Sequence, residues 1–226
     1  MKFYNIKFAN ENFEISPFGA IFWPNEEILI VSDLHLEKGS SYYQRGTFLP
    51  PYDTFDTINR LEEIIKQTYP KKVLLLGDTM HDKNGLLRMP NKMKEKFFSL
   101  LEKWSFVLIS GNHDEEFKGY DLKLFPSFKI RKITFRHQSS FDETTEISGH
   151  FHPVINTKFK GVRIRTPCFL VTENKIILPS FGTFTGGLDI KNDAFKDIIS
   201  KNTSAYIIYN QPVSYTHLTL PTIYSV

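Results

Sequence analysis

Three short apolar runs, Ile28–Val31, Val73–Leu76 and Phe106–Ile109, each stop abruptly at polar residues: Ser32-Asp33, Gly77-Asp78 and Ser110-Gly111-Asn112-His113-Asp114. Uninterrupted runs of this length predict strands buried on both faces. Between the first two, Phe55, Ile58, Leu61, Ile64 and Ile65 recur at helical intervals, predicting a helix over Thr54–Gln67. Asp53 or Thr54 is placed to cap its start, and Pro70 follows its end. Met93, Phe97, Leu100 and Leu101 mark one face of a second helix, over Met93–Lys103. Strands alternating with helices predict an open α/β sheet, and in such sheets ligands bind beyond the C-terminal strand ends.

The second half changes texture. Shorter strands are expected at Ile130–Phe135, Thr145–Ser148, Cys168–Thr172, Lys175–Leu178 and Ala205–Tyr209, with Glu173-Asn174 as a two-residue hairpin turn. A shift from strand–helix units to hairpins is met by two sheets packed face to face with helices outside. The expectation is therefore an α/β, four-layer αββα sandwich of two mixed sheets rather than two domains.

Composition narrows this picture. The 226 residues are 41% hydrophobic, enough for one sizeable core. No apolar run approaches the roughly 20 residues that cross a bilayer, and Lys2 and Lys7 interrupt the N-terminal stretch, so neither a membrane span nor a secretory signal is expected. The single cysteine, Cys168, excludes an intrachain disulfide framework and any multi-cysteine zinc site; a reducing, cytoplasmic location is the default. Between Pro167 and Phe169 it reads as a small buried residue. A net charge of +3, with short basic clusters at Arg131-Lys132 and Lys158–Lys160, does not make a nucleic-acid-coating protein.

Residues 213–226 differ from the rest, with no charged residue and three threonines. Their core, Val-Ser-Tyr-Thr-His-Leu-Thr-Leu-Pro-Thr, resembles the in-frame translation of a transposase-type sequencing adapter. The expectation is a native domain over 1–212 followed by a non-native tail, and His217 is set aside from the chemistry.

Six other histidines remain: His35, His81, His113, His137, His150 and His152. Asp33-Leu34-His35, Gly77-Asp78 and Gly111-Asn112-His113-Asp114 follow the three buried strands, and Gly149-His150-Phe151-His152 follows a fourth, Ile147-Ser148. On extended backbone, i and i+2 side chains share a face, so each pair is expected to project together. Carboxylate, amide and imidazole donors converging from separate strand ends suit borderline divalent ions: Mn²⁺, Fe²⁺, Zn²⁺ or Ni²⁺. There are enough donors for two ions if one carboxylate bridges them. Taken singly, Asp-x-His is most often a surface turn, Gly-Asp a strand-to-helix loop, Gly-Asn-His-Asp a tight turn and His-Phe-His a half-exposed strand; the order of all four carries the inference.

That order, Asp-x-His, Gly-Asp, Gly-Asn-His-Asp, a lone His and Gly-His-x-His, resembles the calcineurin-like metallophosphoesterases. Linking residues resemble its PdeM-type, DNA ligase-associated branch: Ser32 to Gly39 with Arg45-Gly46, Gly77 to His81, Pro167-Cys168-Phe169, and Leu178 to Gly187. The resemblance implies a first metal held by Asp33, His35 and His152, a second by Asn112, His137 and His150, and Asp78 bridging. It places His113 against the substrate phosphate as the catalytic group, with Asp114 orienting it. His137 is the weakest assignment, because Arg136 and Gln138 depart from the family's usual His-Gly. Lys38, Arg45 and His81 are candidate substrate contacts; Lys38 or Arg45 taken alone reads more readily as a surface residue, and His81 reads equally as a solvated loop residue.

Two divalent ions, manganese foremost, would address both obstacles to phosphodiester hydrolysis: the repulsion of a nucleophile by anionic oxygens and the poor leaving group. A hydroxide bridging the ions would attack in line, and His113 would protonate the departing oxygen. The expected function is a metal-dependent phosphodiesterase acting as a DNA-repair endonuclease. The branch resemblance implies DNA as substrate and a DNA ligase and helicase as partners. The alternatives are a phosphodiesterase for cyclic nucleotides or other small diesters, and a non-catalytic scaffold of the same fold. Phe181 to Gly187 is glycine- and hydroxyl-rich but lacks the lysine and spacing of a nucleotide P-loop, and is expected to pack as a tight turn beside the site.

Overall fold

A computed structural model describes residues 2–50, 52–114, 122–140, 142–159, 161–208 and 213–217. The chain opens with a meander, β1 (Tyr4–Phe8), β2 (Glu11–Ile15) and β3 (Ile21–Trp23), then β4 (Ile28–Val31), α1 (Lys38–Gln44), α2 (Asp53–Thr68), β5 (Lys72–Leu76), α3 (Gly85–Arg88), α4 (Asn91–Lys103), β6 (Phe106–Ile109) and β7 (Leu124–Phe125). These seven strands form one mixed sheet in sequence order, antiparallel up to β4 and parallel from β4 to β7. The second sheet holds β8 (Ser127–Ile130), β9 (Ile133–Arg136), β10 (Glu146–Ser148), β11 (Val154–Phe159), β12 (Val162–Val171), β13 (Lys175–Ile177), β14 (Ser204–Ile208) and β15 (Val213–His217). Its order is β15-β14-β12-β13-β10-β9-β8, with β11 paired to β12. At its centre β10 runs parallel to both β9 and β13.

The strand alternation explains the apolar runs. Ile28, Ile30, Leu74, Leu76, Val107 and Ile109 face the second sheet, packing with Trp23, Phe135, Ile147, Phe169 and Ile176. Their neighbours Leu29, Val31, Val73, Leu75 and Leu108 face the helices, against Ile58, Leu61, Ile64, Ile65, Phe97 and Leu100. A strand with both faces in a core has no reason to alternate polar and apolar residues. The sandwich architecture is as expected, but its two outer layers are unequal. Helices α2 and α4 cover the first sheet. The second is covered by a short segment, Ile190, Phe195 and Ile198, around a 3₁₀ turn at Asp193–Phe195.

Four details depart from the sequence reading. The stretch Ile130–Phe135 is not one strand: Arg131, at φ 52°, turns the chain between β8 and β9. Phe55, placed by its spacing on the buried face of α2, is 48% exposed. Asp53 and Thr54 do not cap α2. Asp53 Oδ2 accepts from Gly39 N–H at 2.9 Å and Thr54 Oγ1 from Glu37 N–H at 2.8 Å. The left-handed turn at Glu37 leaves the first amides of α1 without intrahelical partners, and these side chains supply them. Finally, β12 begins six residues earlier than expected. Its first part pairs with β11 up to Pro167, and Cys168 onward pairs with β14.

Of the tail, residues 213–217 extend the second sheet by backbone pairing with β14, and the rest lies outside the described residues. Backbone pairing at a sheet edge requires no particular side chains, so it is compatible with either origin of this segment. Among the described residues no helix is long and apolar enough to cross a membrane.

Leu61 is fully buried where α2 meets the sheet. Leu61→Ala is expected to lower unfolding free energy by about 2–5 kcal/mol, read by urea denaturation, because the rigid sheet beneath limits collapse into the cavity.

Candidate metal centre

The parallel strands of both sheets end at one edge. The loops after β4, β5 and β6 deliver Asp33 and His35, Asp78, and Asn112 to Asp114; those after β9 and β10 deliver His137, then His150 and His152. The backbone there is not extended. Asp33, His35, Asp78, His150 and His152 have φ of 56°, 42°, 48°, 68° and 45°. Left-handed turns, rather than strand alternation, aim these side chains, at about 1–3 kcal/mol of strain per residue.

Two donor clusters result, one of Asp33, His35 and His152 and one of Asp78, His137 and His150, each with its donor atoms within 4.8 Å of one another. Within the first, His152 Nε2 lies 3.0 Å from Asp33 Oδ1 and 3.4 Å from His35 Nε2. Within the second, His137 Nε2 lies 3.0 Å from His150 Nδ1. Asp78 Oδ2 stands between the clusters, 3.5 Å from His137 Nε2 and 3.8 Å from His35 Nε2. Asn112 Nδ2 is 3.5 Å from His150 Nδ1, which brings its amide to the second cluster.

The far nitrogens set the ring tautomers. His137 Nδ1 is 2.8 Å from the Leu76 carbonyl and His152 Nδ1 is 3.2 Å from that of Gly186. A carbonyl only accepts, so each Nδ1 carries the proton and each Nε2 presents a lone pair to its cluster. Asp33 is wholly buried. Its Oδ2 accepts from Ser32 Oγ–H at 2.5 Å and His150 N–H at 3.0 Å, while Oδ1 makes no hydrogen bond. A buried carboxylate oxygen without a hydrogen bond, facing imidazole lone pairs, fits a cation placed among them. The residues therefore suit a pair of divalent ions with mixed nitrogen and oxygen ligation.

Electrostatics agree. Burial alone would raise Asp33, but His152, His137 and His35 outweigh it and hold the carboxyl well below its usual range. Burial pushes His35 down to about 3, keeping the imidazole neutral as ligation requires. Burial would also lower His152, but the adjacent Asp33 charge raises it. Burial, then the Lys38 charge, takes His81 to about 4.

His113 lies at the rim, its side chain 46% exposed and its Nε2 3.9 Å from Asp78 Oδ2; its N–H donates to Asp78 Oδ1 at 3.0 Å. Asp114 works through the backbone. Its Oδ1 accepts from Thr79 N–H at 2.9 Å and its Oδ2 from Gly111 N–H at 3.1 Å, tying the loop after β5 to the loop after β6. Burial raises its carboxyl to about 6. His81 stacks with His113, ring centroids 6.0 Å apart, and is 5.7 Å from His35 and 5.9 Å from Tyr42. Lys38 sits over the Tyr42 ring at 5.8 Å, and Arg45 lies exposed where α1 ends.

Support from outside the motifs was less legible. The Ser180–Gly187 turn packs beside the site: Ser180 Oγ–H and Gly182 N–H donate to Asp33 carbonyl oxygen at 2.7 and 3.0 Å. A side chain at Gly182 would place its Cβ 2.3 Å from Leu34 carbonyl oxygen. Gly149 has a similar reason, since a Cβ there would meet Ser32 Oγ at 1.6 Å and Asp33 Oδ2 at 2.4 Å. Cys168 is buried, with its thiol directed at Pro153 carbonyl oxygen at 3.7 Å and its pKa pushed up by burial, which makes it a packing residue.

Residues 27–201 match the family described as calcineurin-like phosphoesterase. The chain belongs to that family. It is accordingly a metal-dependent phosphoesterase, and the two clusters occupy the metal edge of its sandwich. Among solved structures, a Pseudomonas putida nuclease, MPE, superposes with a TM-score of 0.72 at 23% identity, covering 95% of this chain and all of that one. Yfce, a phosphoesterase from E. coli, gives a TM-score of 0.43 at 14% identity over 84% of this chain and 98% of its own. No curated protein sequence matches.

Gly149→Ala is expected to abolish stoichiometric metal binding, read by metal analysis of the purified protein. Steric displacement of Ser32 and Asp33 would separate the first cluster.

Proposed function

We propose that this phosphoesterase is a phosphodiesterase that cleaves DNA, of the PdeM-type branch, with manganese as its preferred ion. The observation that carries the reading is Asp78 Oδ2, placed within 4 Å of His137, His35 and His113 at the junction of the two clusters. Asp33, His35 and His152 would hold the first ion, Asn112, His137 and His150 the second, and Asp78, standing between the clusters, would serve both. The overall likeness to a nuclease supports a nucleic-acid substrate, and the branch resemblance of Ser32 to Gly39 and Gly77 to His81 supports DNA and a repair setting beside a DNA ligase and helicase.

Bound divalent ions would supply positive charge to the phosphate oxygens and lower the pKa of coordinated water toward neutrality. The chain's own residues do the rest. His113, exposed at the rim beside Asp78, faces the phosphate and delivers a proton to the departing oxygen from Nε2. Asp114 fixes the turn that carries His113 by holding the Thr79 and Gly111 amides. His81 backs the His113 ring, and Lys38, pointing along the Tyr42 face, meets substrate anions arriving from that side. Residues 213–226 are a non-native tail in this reading, although 213–217 pair with the edge of the second sheet; a genomic clone that diverges near Val213 is the expected finding.

Asp78→Ala is expected to lose both metal and turnover. His113→Ala should keep two ions per chain while losing about 10²–10⁴-fold in turnover of a substrate with a poor leaving group, the usual range for a proton donor. Metal analysis beside single-turnover assays reads both.

Turnover of bis(p-nitrophenyl) phosphate, p-nitrophenyl phosphate and single-stranded DNA, each with Mn²⁺ and with EDTA, tests the substrate. The expected result is metal-dependent cleavage of both diesters. Cleavage of the small diester alone would indicate a small-molecule phosphodiesterase, and silence on all three would indicate a scaffold.

A further inference from the structure

A cleft of about 420 Å³ opens beside the second cluster, and neither His35 nor His81 lines it. Asn112 and His137 form its inner wall, and Arg136, Gln138, Ser110 and Ser127 line the rest with little apolar surface. A chain-like diester with its scissile phosphate at Asp78 has two arms. One leaves past His81 and Lys38, and the other leaves past Asn112 and His137 into this cleft.

Arg136 is the only guanidinium or ammonium among the lining residues. Its Nε lies 3.1 Å from Oε2 of Glu146, a wholly buried carboxylate. Glu146 does not depend on Arg136 for compensation. Its Oε1 already receives Lys175 Nζ at 3.0 Å, Ser139 Oγ–H at 2.5 Å and Ser140 N–H at 2.9 Å, and its Oε2 receives Ser140 Oγ–H at 2.8 Å. Two cations thus share one carboxylate. The surplus charge lies at the partly exposed Arg136, which is near Glu146 as an ion pair but whose Nε makes no hydrogen bond. A planar guanidinium with hydrogen-bonding capacity to spare, lining a polar cleft, matches a phosphate rather than an apolar group.

We propose that this cleft is a subsite for the phosphate adjacent to the scissile one in a polynucleotide, with Arg136 as its binding residue. The inference rests on the phosphodiesterase reading and narrows it to polymeric substrates, because a small diester has no second phosphate to place there.

Arg136→Gln and Arg136→Lys, with metal content measured, would be compared on bis(p-nitrophenyl) phosphate and on oligothymidylate. Arg136→Gln is expected to keep two ions and unchanged small-diester kinetics. Its KM for the oligonucleotide should rise about 10-fold with kcat retained, as loss of one charge-assisted contact predicts, and the slope of log affinity against log salt should fall by about one. Arg136→Lys should recover part of the loss. Equal losses on both substrates, or loss of metal, would make Arg136 a structural residue and overturn the proposal. An unchanged oligonucleotide KM would overturn it too. Wild-type protein that cleaves the small diester but not the oligonucleotide would overturn this inference alone, whereas wild-type protein inert on both would overturn the phosphodiesterase reading with it.

Discussion

Burying an ionised carboxylate costs several kcal/mol unless its charge is met locally, and here Asp33 and Asp78 are both withdrawn from water at one sheet edge. Protein hydrogen bonds meet part of that cost: Ser32 and His150 on Asp33, the His113 amide on Asp78. One Asp33 oxygen is left with imidazole nitrogens and no hydrogen bond. The surrounding architecture is arranged around that residual demand for positive charge. Tautomers set by the Leu76 and Gly186 carbonyls turn lone pairs inward, and burial keeps His35 neutral. Cations among these donors turn a costly arrangement into a stable one, which couples metal binding to the integrity of the edge.

The same demand accounts for the strained backbone. Extended chain leaving β4 and β10 would carry its side chains along the strand direction. Left-handed turns at Asp33, His35, His150 and His152 bend them into a common space instead. Such turns persist only when neighbours hold them. The Asp33 carbonyl is held by Ser180 and Gly182, and the Gly149 backbone lies so close to Ser32 that a methyl group has no room. His150 and His152, two residues apart, consequently serve different clusters.

Around this centre the polar groups divide by function. His113 and His81 crowd the side of the first cluster, and Arg136 with Gln138 borders the second. Asp114 and Glu146 lie one step back. The first joins two loops through their amides, and the second anchors the segment that follows His137. In the proposed reading, a substrate held across Asp78 would meet His113 on one side and Arg136 on the other.

Much of this was legible in the chain. Ile28–Val31, Val73–Leu76 and Phe106–Ile109 read as doubly buried strands because their own composition admits no exposed face, and the donors stand directly after them. Sequence by itself determined the inventory of donors, the strand–helix rhythm and the family. Tertiary structure decided what depends on neighbours distant in sequence. Asp53 and Thr54 look like caps of their own helix, yet they satisfy amides of Glu37 and Gly39, because only the folded chain brings those orphaned groups within reach. Phe55 has the spacing of a core residue but lies beyond the edge of the packed face. Arg136 and Glu146 carry no local pattern at all, and their pairing arises from β9 and β10 running side by side. Local spacing reports which residues can share a face; which groups lose water, and which partners must then replace it, is set by chain segments that meet only on folding.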